Sequence, residues 1–194
     1  MRGARPLNRE EVTQILSELE QTDNTREAAW IALSAYQGWR IGEVLSLTLG
    51  DVWQAGQLVS EVYIYQSKTK AGRRVPLHQT AAHHLKRHVD ACLAAGYKES
   101  DPLFASRKRV AGERQAITRQ HANASLETIC RSCGITGKVS SHSLRKHYCM
   151  ACYKALDKDP VSTMRATGHK SLQTLTHYLQ ACSDTEVEQA ILNL

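Results

Sequence analysis

Apolar residues recur at helical spacing along most of the chain. Val12, Ile15, Leu16 and Leu19 fall at i, i+3, i+4 and i+7 behind Asn8-Arg9-Glu10-Glu11, an N-cap residue with an acid three positions on. A second helix fits residues 26–36 through Ala29, Trp30, Leu33 and Ser34. Gly38 breaks it, and Trp39-Arg40 leads into a short helical run with Val44, Leu45 and Leu47. Further helices are predicted at about 80–94, 118–132, 141–156, 160–167, 172–179 and 184–192. Between the two helical regions the period changes. Residues 58–65 are rich in β-formers, Lys68-Thr69-Lys70-Ala71-Gly72 reads as a turn, and Arg73-Arg74-Val75-Pro76-Leu77 reads as a short return strand. A basic β-hairpin results, with a third strand expected near 51–53. Residues 96–102 and 110–115 read as surface loops. No repeat or linker divides the chain. The pattern predicts an α+β fold, mainly helical, in one domain with a small antiparallel β-sheet.

Composition narrows the class. The 194 residues are 42% apolar and 23% charged, ordinary for a soluble globular protein. A chain of this length buries roughly 70% of its unfolded surface, so it needs neither disulfides nor a metal to hold a core. It has no run of 18 apolar residues, and Met1-Arg2-Gly3-Ala4-Arg5-Pro6 has no apolar h-region. A cytoplasmic protein without a membrane partner is expected.

Charge says more. Lys plus Arg is 25 and Asp plus Glu is 19, a net +6. Residues 179–194 hold Asp184, Glu186 and Glu188 without a Lys or Arg, which leaves +9 on the rest. Between Val62 and Val89 there is no acid against Lys68, Lys70, Arg73, Arg74, Lys86 and Arg87. Arg107, Lys108, Arg109, Arg114 and Arg119 form a second cluster, offset only by Glu113. Such clustering suits a polyanion, most often nucleic acid, or else a solvated basic face.

Four of the six cysteines form two Cys-x-x-Cys pairs, Cys130/Cys133 and Cys149/Cys152, spaced as in a zinc ribbon. The second pair lacks the tight turn that a zinc knuckle needs. It continues a helical stripe of Leu144, Tyr148, Cys152 and Leu156. Core thiols are the expectation, with no metal and no cofactor.

Three short constellations carry candidate chemistry. In Ser140-Ser141-His142-Ser143-Leu144-Arg145 a capping Ser puts His142 and Arg145 in the first turns of a helix, three apart. An Arg fork and a proton-transfer group at a helix N-terminus suit a phosphate. In Gly38-Trp39-Arg40-Ile41-Gly42-Glu43 the Arg sits one turn from a carboxylate that can hold it, or that merely pairs with it at the surface. Thr167-Gly168-His169 reads as a helix end, followed nine residues after the His by Tyr178. Spacing alone does not single out Tyr178 among seven tyrosines.

In order, these pieces resemble the tyrosine recombinase (phage integrase) family. Its pattern is an Arg in Gly-x-Arg-x-x-Glu, a Lys in a β-hairpin turn, His-x-x-Arg, Gly-His and a nucleophilic Tyr. This chain supplies Gly38-Trp39-Arg40-Ile41-Gly42-Glu43, Lys68, His142-Ser143-Leu144-Arg145, Gly168-His169 and Tyr178, with Thr174 four before the Tyr. The resemblance spans residues 8–180. It implies a site-specific recombinase that needs no metal or ATP and works through a 3′-phosphotyrosyl intermediate, for integration, excision or inversion.

The resemblance also implies roles. Tyr178 attacks, Arg40 and Arg145 clamp the phosphate oxygens, and His142 moves the tyrosine proton. Lys68 protonates the leaving 5′-oxygen, His169 hydrogen-bonds the phosphate, and Glu43 orients the motif around Arg40. A tyrosine phenol titrates near 10, so attack at neutral pH calls for cationic neighbours. Lys70 shares the turn and competes with Lys68 for the hairpin role; with Arg73, Arg74, Arg107, Lys108 and Arg109 it is a candidate DNA contact. Three positions depart from the pattern: Trp39 and Thr167 stand where the family often has Leu, and Gln180 where it commonly has His.

The family's N-terminal DNA-clamping domain is expected to be missing, so that residues 1–194 form a catalytic domain alone, similar to fimbrial phase-variation recombinases. The tail, 181–194, is expected to be a helix that docks on a neighbouring protomer. Expected partners are double-stranded DNA, a homotetramer on paired sites and accessory DNA-bending proteins. Competing readings are a relaxing enzyme of the type IB topoisomerase kind and an inactive DNA-binding regulator.

Overall fold

A computed structural model of the chain describes residues 3–66 and 71–179. Helix α1 (Arg9–Gln21) begins in the expected capping box: the Glu11 amide donates to Asn8 Oδ1 at 2.7 Å and the Asn8 amide to Glu11 Oε2 at 2.9 Å. Arg5 grips the same carboxylate through both Nη atoms, at 2.6 and 2.9 Å, and holds the Glu11 pKa below its usual range. Val12, Ile15, Leu16 and Leu19 are all buried. They face α2 (Thr25–Tyr36), which is buried on every side from Ala28 to Ala35 and packs against α1, α5 and α7. A helix apolar all round belongs at the centre, and α2 is the axis of this fold.

Two one-turn helices follow, α3 (Ile41–Val44) and α4 (Leu49–Val52), then three antiparallel strand pairs. Strand β1 (Trp53–Gln54) pairs with β2 (Gln57–Leu58), and β3 (Glu61–Gln66) with β4 (Ala71–Pro76). Helix α5 (Gln79–Ala94) leads to β5 (Ala105–Val110) and β6 (Glu113–Ala116), then to α6 (Arg119–Ser132), α7 (Ser141–Ala155), α8 (Pro160–Thr167) and α9 (Leu172–Leu179). The fold is α+β and mainly helical, as the sequence pattern predicts.

The strand expectations need three corrections. The run 58–65 is not one strand: Leu58 closes β2, and β3 starts afresh at Glu61 once the Val59 amide has bonded to Val52 O. The third strand near 51–53 does not join the basic hairpin. Val52 ends α4, and Trp53 opens a separate ribbon. Residues 110–115 are no loop but the tip of the β5–β6 hairpin. Residues 67–70, which hold most of the expected turn, and the expected tail helix 181–194 lie outside the described residues, and with them Lys68, Lys70 and Gln180.

Each Cys-x-x-Cys pair has one buried thiol and one half-buried, Cys133 and Cys152 being the half-buried members. Cys130 of α6 and Cys149 of α7 are buried, and burial pushes each thiol up to about 11. Among the described residues no three His, Cys, Asp or Glu side chains are gathered as a metal would need, and no helix is long and apolar enough to cross a membrane.

One glycine ties the core to the polar constellations. Gly38 follows α2 with φ +66°, and the Tyr148 ring of α7 occupies the space a Cβ would take. Gly38→Ala is therefore expected to destabilise the fold by at least about 1–3 kcal/mol, the cost of a left-handed non-glycine residue before the collision is added. Urea unfolding measures this; a change under about 0.5 kcal/mol, the usual size of a neutral surface substitution, would show that the segment relaxes freely.

Candidate active site

Helix α7 is the hub. It packs against α2, α6, α8 and α9, so groups from four parts of the chain converge on its N-terminal half. Its first turn is fixed by the Ser140 amide, which donates to Ser143 Oγ at 3.1 Å, and by the Ser141 amide, which donates to Asn123 Oδ1 of α6 at 2.9 Å. His142 sits exposed in that turn, and Arg145, one turn on, points inward and is 2% exposed.

The surroundings of Arg145 are unusual for a buried cation. Its Nη1 donates to Gly38 O; its Nη2 lies 3.3 Å from both Thr167 O and His169 Nε2. All three partners are neutral. Among the described residues no carboxylate lies within ion-pair distance, and Nε is buried without a partner. Burial, and next the neighbouring Arg40, push the guanidinium pKa down from its ordinary value. A charge removed from water without a counter-charge costs several kcal/mol.

Arg40 stands just ahead of α3, half-exposed. Its amide donates to Glu43 Oε2 at 2.8 Å and its Nη1 to Glu43 Oε1 at 3.0 Å. The one carboxylate thus holds both the backbone amide and the side chain of Arg40. Trp39, where Leu is usual, is 1% exposed and keeps the segment anchored in the core, though its Nε1 has no partner among the described residues.

Helix α8 brings in His169. Asp159 caps its start, accepting from the Val161 and Ser162 amides, and Pro160 occupies the first turn. Gly168, at φ +68°, ends it in the left-handed region. The chain reverses there and the His169 amide bonds back to Met164 O at 3.0 Å, which seats the imidazole against Arg145. Burial, then Arg145 and Arg40, lower the His169 pKa to about 4, so the ring is neutral at pH 7. Helix α9 completes the group: the half-buried Tyr178 ring lies 4.9 Å from the His169 ring, with Arg145 Cζ 5.9 Å from its centroid.

The structure thus gathers Arg40, Glu43, Arg145, His169 and Tyr178, with His142 one turn from Arg145. The other candidates stand apart. Arg74 lies on β4 opposite Tyr63 and is exposed, and Arg73 lies opposite Ile64. Arg107, Lys108 and Arg109 are exposed along β5. Arg114, counted in the second basic cluster, is committed elsewhere: it meets Asp101 at 3.2 Å, donates to Ala95 O and covers the Tyr97 ring. Three site groups escaped the sequence reading: the Gly38 carbonyl, Asn123 and the Thr167 hydroxyl. Only Thr167 left a trace, as a polar residue where an apolar one is usual, four after Thr163 near a helix end.

The model of the Phage integrase family matches residues 5–184. The chain belongs to this family. Its fold matches the crystal structure of XerA recombinase with a TM-score of 0.77 at 21% identity, over 99% of this chain and 64% of that one. It matches XerH site-specific recombinase, bound to a palindromic difH substrate in a post-cleavage complex, at 0.73 and 23% identity, over 97% of this chain and 53% of that one. A lambda integrase dimer bound to a COC′ core site gives 0.66 at 17% identity, over 92% and 48%. The chain therefore spans about half to two thirds of the length of these relatives. No curated protein matches it.

Proposed function

We propose that this integrase-family chain cleaves and rejoins DNA site-specifically. Tyr178 Oη attacks the scissile phosphorus, the bond to the 5′-oxygen breaks, and a 3′-phosphotyrosyl link remains. The phenolic proton passes to His142, and Lys68 supplies one to the departing 5′-oxygen. The observation that carries this reading is Arg145, a buried guanidinium bonded among the described residues to neutral acceptors, with Arg40 beside it and the Tyr178 ring against it. Two fixed cations facing one another repel until an anion enters between them. They stabilise it most when charge builds on the phosphorane oxygens.

The remaining roles extend this reading. Lys70, Arg73, Arg74, Arg107, Lys108 and Arg109 would hold the duplex through its phosphates, with affinity falling steeply as salt rises. Four copies would act on paired sites, the tail 181–194 docking on a neighbour, with DNA-bending proteins assisting.

The test is a nicked suicide duplex carrying the cognate site, incubated with the protein in EDTA and without nucleotide. A denaturant-stable protein–DNA adduct is expected. Loss of the adduct on chelation, with recovery on adding a divalent metal, would overturn the proposed charge balance, in which two arginines do the work often given to metal ions.

A further inference from the structure

The start of α6 touches both arginine-bearing segments of the site. Asn123, one turn into α6 and half-buried, accepts the Ser141 amide on Oδ1 at 2.9 Å. Ser141 is the first residue of α7, so its N–H is one of the donors that a helix leaves without an internal partner. The Ser140 and Ser143 amides are met within the turn itself, at Ser143 Oγ (3.1 Å) and Ser140 O (2.8 Å). The Ser141 amide is met from another helix, 18 residues back in the chain. On its other side α6 meets α3. The Arg119 guanidinium lies against Gly42, where a Cβ would come within 2.7 Å of Nη2 and 3.1 Å of Cζ. Gly42 stands between Arg40 and Glu43, and Ser141 stands beside His142 and one turn before Arg145.

We propose that Asn123 is a positioning residue for cleavage: by holding the start of α7 against α6, it sets His142 and Arg145 at the distance from Arg40 that one phosphate spans. The proposal rests on the reading above of both arginines as clamps on a single phosphate. Helix α2 also packs on α3 and α7, through a face that is mostly apolar from Ala28 to Ala35. Such packing holds the segments together but has no direction of its own, whereas a hydrogen bond does. Loss of the bond frees the start of α7 to turn or slide on α6 and carries His142 and Arg145 with it. The buried face of α6, Ala122, Leu126 and Cys130, stays in place. Asn123 thus acts through the α7 backbone and supplies no group to the reaction itself.

The bond can be cut from either end. Asn123→Leu removes the acceptor, keeps the bulk and suits a helix. Ser141→Pro removes the donor. Proline is favoured at the first position of a helix, and Ser140 before it is already extended (φ −161°, ψ 175°), as a residue preceding proline prefers. Asn123→Asp keeps an acceptor oxygen in the same place. Each variant is assayed in single turnover on the nicked suicide duplex at saturating protein, beside a binding isotherm at the same salt. Cleavage is expected to slow about tenfold in Asn123→Leu and in Ser141→Pro, the worth of one hydrogen bond, with DNA affinity unchanged. It recovers in Asn123→Asp. The double variant slows no more than either single one, because both remove the same bond.

A parental rate in either single variant overturns the proposal. So does an affinity that falls in step with the rate, an Asp variant as slow as the Leu one, or a double variant that multiplies the two losses. Should one single variant fail to fold, the other decides. The bond itself is read without DNA, from hydrogen exchange of the Ser141 amide in the full-length protein. Exchange is expected to quicken in Asn123→Leu and not in Asn123→Asp; unchanged exchange in the Leu variant also overturns the proposal. Failure of the recombinase reading would show separately, as an adduct that survives removal of the Tyr178 hydroxyl.

Discussion

Tyr178→Phe is expected to bind duplex DNA as the parent does and to form no covalent adduct with it. The ring itself does structural work. It lies 4.9 Å from the His169 ring and within 5.9 Å of Arg145 Cζ, on the short helix α9. Phenylalanine keeps those face contacts and removes one oxygen, so the expected loss is chemical and not architectural. That loss is complete in the adduct assay, because no other group replaces the attacking atom. The measurement is a suicide-substrate gel beside a binding isotherm at the same salt, since phosphate contacts make affinity strongly salt-dependent. An adduct formed by the Phe variant would remove Tyr178 from the mechanism. A parallel loss of binding would mean that the ring shapes the DNA surface.

Most helices were legible because burial and capping agree locally. The stripe of Val12, Ile15, Leu16 and Leu19 and the Asn8–Glu11 box each predict the same helix, and both are found. The missed hairpin β5–β6 shows the limit. Its strands carry Arg107, Lys108, Arg109, Glu113 and Arg114, so no alternation of apolar and polar residues marks them. What builds the hairpin is its turn, Ala111-Gly112, with φ of 49° and 83°. The β1–β2 ribbon uses the same device at Ala55-Gly56, φ 50° and 76°. Two successive positive φ values match the twist of a tight hairpin, and Ala-Gly is a weaker signal for it than Asn-Gly or Asp-Gly.

The site divides in the same way. Arg40 with Glu43, and His142 with Arg145, are local spacings on helix turns, and the sequence displays them. The acceptors of Arg145 are not local. Gly38 O lies 107 residues away in the chain, and Thr167 O lies 22 away. Both reach the guanidinium only after α2, α7 and α8 have packed, so no pattern in the sequence reports them.

Arg145→Lys is expected to lower the cleavage rate by about 10³-fold, in the range seen when one preorganised donor to a developing oxyanion is lost. The guanidinium serves three acceptors at once because its donors are spread over a rigid plane. Nη1 reaches Gly38 O while Nη2 faces Thr167 O and His169 Nε2. A lysine brings one compact ammonium on a flexible stem, which cannot satisfy those three and a phosphate together. Burial beside Arg40 also favours the neutral amine, so the charge itself is at risk in the absence of DNA. Stability should fall by about 1–3 kcal/mol, since a buried carbonyl loses its donor. DNA affinity should change far less than the rate, because the exposed Arg74, Arg107 and Arg109 remain. Single-turnover cleavage at saturating enzyme separates these effects, with urea unfolding as the control. A Lys variant that cleaves within about tenfold of the parent would mean that a point charge suffices and that the fork geometry around Gly38, Thr167 and His169 serves folding alone.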